Sequence, residues 1–211
     1  MNQAAPETIR TECHSIPSTF AYVFEVRAGL NSDALTERAE GERIGRQIRQ
    51  SLHGLPTGQI LVVDFSAVRV TSYFALQEAL AVLYPAALTP TGEEKYLILY
   101  ADEENTDLFD AVNLIARGRR CVIPTLSTAG KWRIAGKLTQ SERITLAFLT
   151  EAGTLTTVQL QAHFELLPSA ASNRLRKLHQ MRVIRREEQS RAAHGGREYL
   201  YMPLAAPHRK T

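Results

Sequence analysis

The spacing of apolar positions divides the chain into alternating strand-like and helix-like stretches. From Tyr22 to Ala28, YVFEVRA alternates as a strand does. The following DALTERAEGERIGRQIRQSLHGL holds helical stretches whose inner side is marked by Ile44, Ile48 and Leu52. GQILVVDFSAV then predicts a buried strand, TSYFALQEALAVLYPAAL a helix with Ser72 as its cap, and EKYLILYA a second buried strand. ENTDLFDAVNLIARG predicts a third helix, its acidic residues favourable to the positive end of the helix dipole, and RRCVIPTL a further strand. Strands alternating with helices predict an α/β layer in which helices pack on a mixed sheet.

In LSTAGKWRIAGKLT, Thr128, Ala129 and Gly130 suggest a turn, and Trp132, Ile134 and Leu138 an apolar edge. The stretch reads as either a hairpin or a connector, with Trp132 expected to pack the two parts of the chain together.

Beyond Leu138 the period changes. LTQSERITLAFLTEAG sets Thr139 and Glu142 at capping-box spacing, followed by Ile144, Leu146, Ala147, Phe148 and Leu149, and Gly153 closes the helix. In TLTTVQLQAHFELL, Thr156 and Gln159 repeat the capping pattern, and Val158, Leu160 and Phe164 supply an apolar side. Pro168 opens a third helix with Ala171, Leu175 and Leu178 inward, which leaves Ser169, Ser172, Asn173, Arg176 and Lys177 largely outward. Two β-prone runs, Val183 to Arg186 and Glu198 to Met202, flank Gly195 and Gly196 and predict a hairpin. Three helices, a polar and basic third one, and a terminal hairpin together predict a winged helix-turn-helix.

Charge sharpens this division. The net charge of +3 is the sum of −2 over residues 1–138 (14 Lys and Arg, 16 Asp and Glu) and +5 over residues 139–211 (11 against 6). Between Leu167 and Arg186 there are six cationic residues and no acid. A basic module joined to a neutral or acidic part suits a polyanionic partner, double-stranded DNA.

Other chemistry is poorly represented. No Gly-rich phosphate loop, nucleophile elbow or H-E-x-x-H occurs, so no enzyme activity and no cofactor is expected. Cys13 and Cys121 lie in unrelated surroundings, and the histidines lack ligand spacing, so neither a disulfide framework nor a metal site is expected. The N-terminal MNQAAPETIRTECHSIP lacks an apolar signal core and no long apolar run follows, from which a cytoplasmic location without membrane contact is expected.

The segment LPSAASNRLRKLHQMRVIRR resembles the recognition helix and first wing strand of winged-helix regulators of the ArsR/MarR type. Ser172, Leu175, Arg176, Lys177 and Leu178 occupy the positions of that pattern, and Arg182 stands where the family often has glycine. The metal-sensing members carry cysteine pairs on their helices, and this segment has none. By their chemistry Ser169, Ser172 and Asn173 are expected to reach base edges or phosphates, with Arg174, Arg176 and Lys177 alongside. Arg191, His194 and Arg197, around the wing tip, are expected at phosphates or a neighbouring minor groove.

Upstream, ILVVDFSAVRVTSYFALQEAL is similar to the strand-turn-helix centre of STAS-like domains, through Asp64, Phe65, Ser66, Val68 and Ser72. The resemblance implies Asp64 and Ser72 as switch residues, although a turn acid and a helix cap account for both equally simply. Where antagonists of that fold carry Asp-Ser-Ser-Gly, this chain has Thr71, Ser72, Tyr73 and Phe74.

The expected organisation is therefore a STAS-like sensor or interaction domain over 19–128, a connector over 129–138 and a winged helix-turn-helix over 139–205. The expected function is a homodimeric DNA-binding transcriptional regulator. The alternative is a protein-interaction adaptor, an antagonist of a regulatory kinase or sigma-binding factor, with a regulatory protein as partner of the STAS-like domain.

Overall fold

Successive side chains of a strand point to opposite faces of its sheet, so a strand that is apolar throughout must be covered on both. The central strands here meet that condition with a different cover on each face. The protein is represented by a computed structural model, which describes residues 16, 20–83, 94–190 and 197–204.

A five-stranded mixed sheet runs in the order β1 (Tyr22–Glu25), β3 (Ile60–Asp64), β5 (Tyr96–Ala101), β6 (Val122–Ser127) and β7 (Trp132–Gly136). The first four are parallel and β7 is antiparallel to β6. Two short segments, β2 (Ala34–Leu35) and β4 (Val70–Thr71), pair separately in parallel. On one face Leu61, Val63, Leu97 and Leu99 share a core with three helices: α1 (Arg38–Gly54), α2 (Tyr73–Ala79) and α3 (Thr106–Gly118). Ile44, Ile48 and Leu52 are the buried stripe of α1, as their spacing predicts.

Helices α1 and α2 approach closely because α1 carries glycine at the contact. A Cβ on Gly41 would collide with the backbone carbonyl of Ala75, and one on Gly45 would lie 2.6 Å from Glu78 O.

The segment expected as either hairpin or connector forms the hairpin. Ser127 and Gly130 close its turn, and β7 becomes the edge strand of the sheet, so the range 129–138 is not a free connector. Its apolar positions explain why: Ile134 packs towards the C-terminal core, and Trp132 packs on the second face of the sheet.

After β7 come α4 (Gln140–Ala152), α5 (Thr157–Phe164), α6 (Pro168–Gln180) and a hairpin of β8 (Ile184–Ser190) and β9 (Arg197–Pro203). Thr139 with Glu142, and Thr156 with Gln159, form complete capping boxes, and Gly153 ends α4 at φ 76°. Leu149, Leu160, Ala171, Leu175, Leu178, Val183 and Ile184 fill one core. Three residues of the expected apolar runs face solvent instead: Ile144, Ala147 and Val158. The inward stripe of α4 is set by Glu142, Thr145, Leu146 and Leu149, and Ile144 falls outside it. In α5, a helix of two turns, Leu160 alone is fully buried, and Val158 sits on the other side.

The second face of the sheet, formed by Val62, Tyr96, Ile98, Tyr100 and Leu126, is covered by Leu204 at the end of β9 together with Trp132 and Phe20. Leu204, beyond β9, thus reaches the sheet face opposite α1, α2 and α3, where His179 of α6 and Arg182 also meet Tyr96.

Candidate nucleic-acid interface

Pro168 begins α6 with a φ already suited to a helix and without an N–H to satisfy. Ala171, Leu175 and Leu178 are all fully buried, and this fixes the rotation of the helix about its axis. The opposite side carries Ser169, Ser172, Asn173, Arg176 and Lys177, all exposed. An Asn and an Arg one turn apart are already connected: Arg176 Nη2 donates to Asn173 Oδ1 at 2.8 Å.

Two neighbouring cations have other engagements. Arg174 is half-buried, its guanidinium 5.9 Å from the centre of the Phe164 ring. Lys177 Nζ lies 2.5 Å from Glu142 Oε1 in the capping box of α4. Burial alone would raise the Glu142 carboxyl, but the bonds from Lys177 and Thr139 outweigh it and hold the group below the usual carboxylate range.

The hairpin follows α6 through a tight turn. Arg182 takes φ 59°, the left-handed conformation that glycine adopts at least cost. Its side chain is nearly buried, with the guanidinium 5.7 Å from the centre of the Tyr96 ring. An inter-element bridge that the sequence does not announce joins Leu155, between α4 and α5, to Tyr201 in β9 by two backbone bonds of 2.9 Å. Of the three residues expected at the hairpin tip, Arg191 and His194 lie outside the described residues. Arg197 is placed by its backbone alone, opposite Ser190 at the start of β9.

The end of α6 is tied to the sheet by a polar cluster that sequence reasoning missed. Glu94, just before β5, accepts from Arg186 of β8 at 3.1 Å, and its Oε1 lies 3.2 Å from His179 Nε2. Tyr96 Oη is 3.4 Å from both Glu94 Oε2 and His179 Nε2. Burial, reinforced by Glu94, pushes the Tyr96 hydroxyl up to about 12. Burial lowers His179, and the adjacent Arg186 and Arg182 oppose the pull of Glu94 in the other direction. No local motif marks these residues, since they come from distant parts of the chain.

The two residues expected as switches are held in structural bonds. Asp64, nearly buried at the end of β3, accepts from Ser66 N at 2.7 Å in a turn. Ser72 Oγ accepts from Ala75 N at 3.2 Å as the cap of α2 and donates to Thr36 O at 2.7 Å. Tyr73 and Phe74 beside it are exposed and in edge contact.

Among the described residues no group of three or more His, Cys, Asp or Glu could hold a metal ion, and no helix is long and apolar enough to cross a membrane. Comparison of the chain with protein-family models, with curated proteins and with solved structures finds no match.

Proposed function

We propose that the chain is a DNA-binding transcriptional regulator in which a STAS-like unit, residues 19–128, controls a C-terminal winged helix-turn-helix, residues 139–205. The observation that carries this reading is the division of α6: Ala171, Leu175 and Leu178 are fully buried, while Ser169, Ser172, Asn173, Arg176 and Lys177 face solvent. A helix of that kind, followed by a hairpin tied to the helical bundle through Leu155 and Tyr201, suits insertion in a major groove with a wing alongside. Control by the first unit is supported by the Glu94, His179 and Arg186 contacts, which join the sheet to the end of α6 and to β8.

One winged helix offers only a module-sized interface, so two copies on a two-fold operator are expected. Like charges disfavour α6 as the contact between them.

The test is selection of bound fragments from genomic DNA by the intact protein at two salt concentrations, followed by titration of the selected duplex. Affinity should fall steeply with salt, with roughly three to six phosphates neutralised. A flat dependence overturns the reading.

A second reading, an adaptor that binds a regulatory protein, is favoured by one observation. Val70, Tyr73 and Phe74, on either side of Ser72 in the chain, are exposed apolar residues. Absence of binding to every duplex would favour it.

A further inference from the structure

A second cationic surface lies at the junction of α3, β7 and α4. Here a cavity of about 550 Å³ is lined by Arg117 near the end of α3, Arg120 and Cys121 on the turn into β6, Lys137 and Leu138 between β7 and α4, and Arg143 in α4. Its size falls in the range of small-molecule sites. Four of its lining residues are cations and none is an acid.

The four side chains are exposed, and among the described residues none of them makes an ion pair. Other cations of the chain do find acids: Arg38 with Glu78, Arg133 with Glu103, Lys177 with Glu142. Glu142, next to Arg143 in sequence, is turned away into its bonds with Thr139 N and Lys177.

Helix electrostatics explain only half of this cluster. Arg117 and Arg120 sit at the C-terminal end of α3, where a cation opposes the exposed carbonyls favourably. Lys137 and Arg143 flank the N-terminus of α4, the positive end of that helix, where a cation is unfavourable. Two cations at the positive end of a helix, of which Arg143 donates from Nε to Leu138 O at 3.3 Å, and two more across a concave surface concentrate positive potential that an anion would relieve.

The backbone beside the cavity is fixed: Gly136, next to the lining residue Lys137, donates its N–H to Asn113 Oδ1 at 2.9 Å and adopts φ 100°, where a Cβ would collide with the Cys121 carbonyl. Burial pushes the Cys121 thiol up, so it adds no negative charge to the lining. A neighbouring hollow of about 450 Å³, sharing Leu138 and Arg143, is bordered by Trp132, Ile134 and Leu146.

We propose that this cavity binds the diphosphate or triphosphate group of a small molecule, at a site between the sheet and the first C-terminal helix. Four cations without a lining acid match a group bearing two to four negative charges, and arginine favours phosphate oxygens as acceptors. The site is independent of the DNA reading, since none of its residues belongs to α6 or the hairpin.

The test titrates the intact protein with inorganic pyrophosphate at fixed ionic strength, by calorimetry and by the fluorescence of Trp132, the single tryptophan of the chain. Saturable binding is expected, weakened by about ten-fold or more in Arg117→Gln/Lys137→Gln, because each change removes a charge-assisted contact. Arg46→Gln/Arg49→Gln, which removes two exposed cations of α1, should leave it unchanged. Near-ultraviolet dichroism of each variant establishes that the fold is retained. Absence of saturable binding overturns the proposal, as does equal weakening by the control pair. If the cavity variant weakens duplex DNA binding and leaves pyrophosphate binding intact, the cavity is a contact for the DNA backbone and the proposal falls, while the DNA reading stands.

Discussion

Glu94 and His179 meet at 3.2 Å, the first just ahead of β5 and the second in the last turn of α6. His179 is nearly buried, and the charged or titratable groups facing it are Glu94 and Tyr96 from the sheet side and Arg182 and Arg186 from the C-terminal side. Its lowered folded pKa means that the unfolded chain binds the proton more readily below the ordinary value of about 6.5. The neutral ring therefore contributes stability above that value, and the contribution is lost as pH falls through the folded pKa. Thermal melts between pH 7.5 and 5 should show a steeper decline for the native protein than for His179→Gln; parallel profiles would remove His179 as the cause.

Arg182 provides a test of the turn between α6 and β8. Alanine and glycine both delete the guanidinium over Tyr96, but glycine alone removes the cost of φ 59°. Arg182→Ala should thus be less stable than Arg182→Gly by about 1 kcal/mol in chemical denaturation. Equal stabilities would show that the turn relaxes to another conformation.

At the α1–α2 contact, Gly41→Ala should destabilise by about 1–3 kcal/mol or more, because the added methyl meets backbone that cannot rotate away. Gly54→Ala, where a Cβ meets nothing within 4 Å, serves as the comparison and should be neutral or slightly stabilising. Denaturant midpoints of the two variants decide the matter.

On α6, Asn173→Ala or Arg176→Ala should lose about 1–3 kcal/mol of affinity on a selected duplex and relax its sequence preference. The hydrogen bond between them implies that the two losses are not additive. Lys177→Ala should act mainly on stability, through the Glu142 carboxylate it leaves in the capping box of α4. Competition with random DNA, measured beside denaturation curves, separates these effects.

The features legible in the sequence are those made by residues close together in it. Both capping boxes need only a Thr and an acid or amide three residues later, and the buried stripe of α6 needs only its period. What Arg182 stacks on is not legible, because Tyr96 reaches it only after the sheet has formed. The polar cluster around Glu94 escapes for the same reason. Arg117, Arg120, Lys137 and Arg143 look, one at a time, like solvated ends of helices, and acquire a common direction only when β7 is laid beside β6. The sequence alone leaves the strand status of Trp132 to Gly136 open, because a turn at Gly130 followed by a few apolar residues suits a hairpin and a connector alike.

The asymmetry of the central sheet limits how this chain can be cut or recombined. Three helices protect one face, but Val62, Tyr96, Ile98 and Tyr100 on the other depend for part of their cover on Leu204, beyond β9, beside Trp132 and Phe20. A fragment ending after β7 would keep Phe20 and Trp132 on this face but lose Leu204, baring part of an adhesive apolar surface, with the phenol of Tyr96 stripped of its imidazole neighbour. A fusion that grafts the last helices and hairpin onto a different sensor would have to supply a surface of the same shape, together with an acid at the position of Glu94 to receive Arg186.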